Sequence, residues 1–108
     1  MSQHRWTATG VPGVGTVEVL TGWDRPLRYF FLTVYGPDQE EQGDNVLFDN
    51  LAHPLYPIGA MSLTDIKLEL KQLHIPAPDG LWQNLEHDEA VNAGNDVTRY
   101  PDIRYEHH

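Results

Sequence analysis

The strongest constraint on this chain is a pair of β-rich segments separated by a short turn-forming stretch. Residues 15–22 and 27–35 are rich in β-branched and aromatic side chains, which favour extended structure. Gly22 at the end of the first segment and the intervening Asp24 and Pro26 are typical of turns. The sequence therefore predicts an antiparallel hairpin whose tip carries a Trp and an Asp-Arg pair.

The two predicted strands differ in how their apolar residues are distributed. In the first, Val17, Val19 and Thr21 alternate with Thr16, Glu18 and Leu20, and the first set predicts the buried face. The second is apolar on both faces, which is typical of a central strand or of a sheet covered on both sides. One of its faces carries Phe30, Leu32 and Val34, and the other carries Tyr29, Phe31 and Tyr35. If the second face is uncovered, its three aromatic residues form an exposed patch that suits a protein partner or a homodimer contact.

The rest of the chain supplies further strands and then helices. Residues 46–49 predict a third strand, and residues 97–100 are a candidate for a fourth. Two helices are predicted at about 63–74 and 80–93, the first capped by Ser62 with Asp65 three residues later. Strands followed by helices indicate an α+β fold, in which an antiparallel sheet of three to four strands carries both helices on one face.

The domain organisation predicted from the sequence is simple. The length of 108 residues indicates one domain, placed at residues 15–100. Residues 1–14 contain Gly10, Pro12 and Gly13 without clear periodicity, and predict a flexible lead-in. Residues 36–45 predict a mobile polar connection, and residues 101–108, which end in a tag-like His pair, predict a frayed tail.

Charge and cysteine content exclude several classes of function. The chain has sixteen acidic and seven basic residues, a net charge of −9, which disfavours direct binding to nucleic acid or to an anionic membrane surface. It has no cysteine, apolar span or signal-peptide pattern, so we expect a cytoplasmic protein. Residues 36–66 hold six acidic residues and no basic residue, which leaves open a protein that mimics nucleic acid and inhibits a DNA-binding protein.

Motifs for metal, cofactor or catalysis are weak. His87 has no second His at helical spacing, so we predict no metal site. The glycines at 10, 13 and 15 lack the lysine and the helix start of a phosphate-binding loop, so we predict no cofactor. Ser62 could join His53 or His74 in a triad on paper, but no Gly-x-Ser-x-Gly turn supports one. A small enzyme is therefore a remote alternative.

The candidate binding residues lie at the hairpin tip, and each has a functional and a structural interpretation. As a recognition site, Trp23 would anchor a partner while Asp24 orients Arg25 toward a carboxylate or phosphate. As structure, Trp23 would close the core and Asp24 would bond loop amides. Arg28 and Tyr29 complete the candidate set. The function predicted from the sequence is thus a non-enzymatic protein-binding or accessory domain.

Overall fold

The computed structural model describes residues 1–36, 46–50 and 60–105 of the chain. These residues form an α+β fold in which six strands make one sheet and two helices cover one of its faces. The elements in chain order are β1 (Ser2–Val11), β2 (Gly15–Asp24), β3 (Tyr29–Tyr35), β4 (Val46–Asp49), α1 (Leu63–Gln72), α2 (Leu81–Ala90), β5 (Asp96–Arg99) and β6 (Ile103–Arg104).

The sheet is mixed, which corrects the prediction of an antiparallel sheet of three to four strands. Its order is β4-β3-β2-β1-β5, with β6 also beside β1. The first four strands pair antiparallel, whereas β5 and β6 both run parallel to β1. Parallel pairing requires a long crossover, and the helical segment between β4 and β5 provides one. The predicted fourth strand thus exists, but it joins a strand that the sequence did not reveal.

The predicted hairpin is confirmed. β2 and β3 pair antiparallel from Glu18 opposite Tyr35 to Asp24 opposite Tyr29. The predicted core face is also confirmed, because Val17, Val19 and Thr21 are buried together with the facing side chains of β3. Those facing side chains are Phe30, Leu32 and Val34.

The two helices contribute to the same hydrophobic cluster as this face of the sheet. Ile66 and Leu70 of α1 and Leu81 and Leu85 of α2 are buried within it. α1 begins as predicted, because the Ser62 side chain accepts from the Asp65 amide and the Asp65 carboxylate accepts from the Ser62 amide. Both helices are shorter than predicted.

The predicted flexible lead-in at residues 1–14 is wrong, because it contains β1. This strand lies in the middle of the sheet, with β2 on one side and β5 and β6 on the other. Its alternating buried residues begin with Ser2 and His4, so the polar character of its core face hides the strand pattern. Pro12 and Gly13, which suggested disorder, form the turn to β2.

The C-terminal segment also differs from its prediction as a frayed tail at 101–108. Ile103 and Arg104 pair with Ala8 and Thr9 of β1, and the Tyr105 amide donates to the Thr9 carbonyl at 2.7 Å. Residues 106–108 lie outside the described residues, as does the predicted connection at 36–45 apart from Gly36.

Gly22 allows the start of β1 to approach β2, and this contact can be tested. A Cβ atom at Gly22 would overlap the carbonyl group of Ser2 and lie 3.0 Å from the Phe31 ring. We expect Gly22→Ala to lower the free energy of unfolding by about 1–3 kcal/mol, because backbone must shift to relieve the overlap. Urea unfolding followed by circular dichroism measures this loss.

Gly94→Ala is the matched control for that experiment. Its new Cβ would meet the terminal Nη1 of Arg25 at 3.3 Å, and this long side chain can move aside. Equal stability losses in the two variants would contradict the role assigned to Gly22.

Candidate functional site

The hairpin tip is a four-residue loop shaped by Asp24. The Arg28 amide donates to the Asp24 carbonyl at 2.7 Å, and the Leu27 amide donates to Asp24 Oδ1 at 3.2 Å. Arg28 has a positive φ of 56°, which places it in the left-handed region and returns the chain to β3. Asp24 thus forms the turn-stabilising bond of the structural interpretation, while Arg25 and Arg28 are exposed.

Trp23 is part of the core and is not an exposed anchor. Only 5% of its surface is accessible, and its ring meets Phe30 edge-on with centroids 4.9 Å apart. Its Nε1 donates to Asn92 Oδ1 at 2.9 Å, which ties β2 to the end of α2. The indole borders a cavity of about 310 Å³ together with Arg28 and Tyr29. Arg25 instead lies near Gly94, so the structure separates the predicted site residues.

Alanine substitution separates the structural from the binding role at this tip. Trp23→Ala should lower the free energy of unfolding by roughly 3–5 kcal/mol, because it removes a buried indole. Arg25→Ala should change it by less than about 0.5 kcal/mol, since that side chain is exposed. Thermal denaturation of both variants measures this, and a Trp23→Ala protein with unchanged Tm would restore the anchor interpretation.

The predicted exposed aromatic patch is not present as such, because Phe31 is buried with 9% of its surface accessible. Tyr29 and Tyr35 are half-buried. Phe31 lines a cavity of about 220 Å³ together with Leu20, Tyr29 and Thr33. A homodimer contact through all three aromatic residues would require Phe31 to be exposed. The homodimer therefore stays a prediction, and the exposed aromatic surface that it was expected to use is not observed among the described residues.

A partly buried polar cluster joins β1, α2 and the segment after β5; we call it the His4 cluster. It consists of Ser2, His4, Asn84, Asp88 and Tyr100. The Asp88 carboxylate oxygen Oδ2 lies 2.7 Å from both Ser2 Oγ and His4 Nε2. The Tyr100 hydroxyl lies 2.8 Å from His4 Nδ1 and 2.9 Å from Asn84 Nδ2. The side chains of His4 and Asp88 are 4% and 15% exposed.

The hydrogen bonds assign the direction of each donor in this cluster. A carboxylate only accepts, so Ser2 Oγ–H and His4 Nε2–H both donate to Asp88. In the neutral imidazole, Nδ1 then accepts from the Tyr100 hydroxyl, which accepts from Asn84. A serine nucleophile must instead donate to its histidine base. The His4 cluster therefore binds three elements together and offers no activated hydroxyl.

Sequence reasoning missed this cluster because its members are far apart in the chain. His4 and Asp88 are separated by 84 residues, so no local pattern around Asp88 indicates its partner. The period-two pattern of Ser2, His4, Trp6 and Ala8 was a local signal, but it required polar residues on a buried face.

Burial raises the pKa of the Tyr100 hydroxyl above its ordinary value of 10.0, and the negative charge of Asp88 raises it further. The hydrogen bond from Asn84 opposes these effects without cancelling them. The neutral phenol is thereby favoured as the donor to His4.

This shift predicts a loss of stability in alkali. The folded state holds the Tyr100 proton more tightly than the unfolded chain, so its contribution is complete below pH of about 10 and is lost as pH rises through the folded-state pKa. Tyr100→Phe should be less stable at neutral pH but should show a shallower decline above pH of about 10. Urea unfolding across this range measures both. Parallel declines in the two proteins would contradict the assignment.

A groove lies between the end of α1 and the C-terminal segment; we call it the C-terminal groove. It has a volume of about 650 Å³. Its lining residues are Leu70, Lys71, His74, Ile75, Pro76, Asp102, Ile103, Arg104 and Tyr105. Lys71 and Arg104 are exposed cations at its rim, and the His74 ring meets Tyr105 edge-on with centroids 6.2 Å apart. An apolar floor with a polar rim is typical of binding sites.

The groove has one wall that the sequence predicted, the end of α1, and one that it did not, the C-terminal segment. His74 was recognisable as a helix-end residue. Its φ of 58° and the hydrogen bond from its backbone amide to the Lys71 carbonyl place it at the end of α1. The opposite wall belongs to the segment predicted to fray. No local sequence pattern predicts that residues 70–76 lie beside residues 102–105. The latter are positioned by pairing with β1, which is distant in the sequence.

Among the described residues, no group of three or more His, Asp or Glu side chains is placed to hold a metal ion. Within the same ranges, neither helix has the length and apolar character needed to cross a membrane. Comparison with protein-family models, curated proteins and solved structures gives no significant match.

Proposed function

We propose that this protein is a non-enzymatic binding domain that holds a segment of another protein in its C-terminal groove. The observation that carries this proposal is the groove, which combines a volume of about 650 Å³ with an apolar floor and a charged rim. Sites of a few hundred to a thousand Å³ accommodate several side chains of a ligand. The hairpin tip offers no comparable combination, because Trp23, its expected anchor, is buried.

The position of β6 supports a peptide as the ligand. Among the strands that the structure describes, β6 pairs with β1 alone, so its second edge is not part of a strand ladder. An exposed strand edge can accept an extended segment through backbone hydrogen bonds. Ile103 and Arg104 of β6 also line the groove, so edge and groove can be used by one ligand.

The alternatives have less support. An enzyme would need a reactive group that substrate can reach, whereas Ser2 and His4 are buried and bonded to Asp88. Nucleic-acid mimicry would need carboxylates at fixed spacing. The densest acidic stretch, at residues 37–45, lies outside the described residues.

A selection experiment tests the proposal without a known partner. A phage-displayed library of random linear peptides is selected on the immobilised full chain, and the enriched peptides are synthesised with a fluorescent label. Fluorescence polarisation then compares wild type with Ile103→Ala, which removes an apolar side chain from the groove. We expect Kd to rise about tenfold or more, as for loss of a buried anchor.

Two controls give this result its meaning. Arg28→Ala alters the hairpin tip and should leave Kd unchanged. Tyr105→Ala, which alters the same wall of the groove, substitutes for Ile103→Ala if that variant has a reduced Tm. Failure to enrich any peptide, or equal affinity for wild type and both groove variants, would overturn the proposal. Loss of binding in Arg28→Ala alone would move the site to the hairpin tip.

A further inference from the structure

A second cavity continues the C-terminal groove along the same two chain segments. It has a volume of about 320 Å³ and shares Asp102 and Ile103 with the groove. Its remaining lining residues are Ala77, Pro78, Asp79, Tyr100 and Pro101. We call the two cavities together the trough. One wall of the trough lies within residues 70–79 and the other within residues 100–105.

The two ends of the trough carry opposite charge. The first cavity has two cations, Lys71 and Arg104, against the single carboxylate of Asp102. The second has two carboxylates, Asp79 and Asp102, and no cation among its described lining residues. The C-terminal dipole of α1 opposes an anion at the first end, so attraction there depends on the two side-chain cations. Their position is distinctive in a chain with a net charge of −9.

The walls of the trough suit an extended ligand. Pro76, Pro78 and Pro101 keep their segments out of helical structure, and neither residues 75–78 nor residues 100–102 form a helix or strand. β6 follows directly and contributes, at the cationic end, the edge that pairs with no other described strand. A ligand lying along the trough would therefore pass from one charge environment to the other.

We propose that the trough binds an extended dipolar segment of another protein, with an acidic side chain at the Lys71 and Arg104 end and a basic side chain near Asp79. Ile103 lines both cavities and would contact an apolar residue of the ligand that lies between its acidic and basic side chains. This inference rests on the proposed function and adds the chemistry and direction of the ligand. Complementary charges also exclude a reversed orientation, because like charges would then meet at both ends.

Charge reversal tests the direction. The probe is the tightest-binding synthetic peptide from the library selection, together with versions in which its acidic residue is replaced by Lys or its basic residue by Glu. The double variant Lys71→Glu, Arg104→Glu should bind the original peptide about fivefold or more weakly, since the interacting charges are exposed and each contributes modestly. The Lys-substituted peptide should recover affinity for this variant. Asp79→Lys should likewise favour the Glu-substituted peptide.

The matched control is Arg25→Glu, Arg28→Glu, which changes the net charge equally but at the hairpin tip. Equal weakening by both double variants, or recovery with neither substituted peptide, would overturn the dipolar ligand. If Ile103→Ala still weakens binding in that case, the proposed function stands and only the charge assignment fails. If Ile103→Ala has no effect either, the proposed function fails with it.

Discussion

The interaction on which the rest of this structure depends is the acceptance of two hydrogen bonds by the carboxylate of Asp88. Ser2 and His4 occupy core-facing positions of β1, where an unbonded polar group is costly. The Asp88 carboxylate, on α2, accepts a hydrogen bond from each of these two side chains. No described buried side-chain polar atom lacks a partner, so β1 can occupy the centre of the sheet despite its polar end.

The position of β1 in turn organises the C-terminal segment. β5 pairs with residues 2–5 of β1, and β6 pairs with Ala8 and Thr9. Between them, the Tyr100 amide donates to the Arg5 carbonyl, and the Tyr100 hydroxyl is hydrogen-bonded to His4 Nδ1. Both walls of the trough therefore depend on the core, one through α1 and the other through β1. In the proposed binding mode, the His4 cluster positions that wall, and its member Tyr100 also lines the trough.

The sequence predicted much of the fold but little of the candidate site. The hairpin was recognisable because Val17, Val19 and the aromatic run of β3 carry strong local preference, and α1 because Ser62 and Asp65 cap a regular apolar stripe. Trp23 was ambiguous for a physical reason: an indole beside a turn can face solvent or core, and the partner Asn92 is 69 residues away. Lys71 and Arg104 had no local signature at all.

By itself, the sequence determined which segments favour strand or helix, where the turns fall and the acidic balance of the chain, because these follow from local backbone preference and from composition. Tertiary structure alone decided that β1 is central, that Trp23 is internal and that two distant cations share one groove. Those outcomes depend on contacts between residues far apart in the chain. A buried Ser or His is stable only when its partner is in place, and local sequence does not contain that partner.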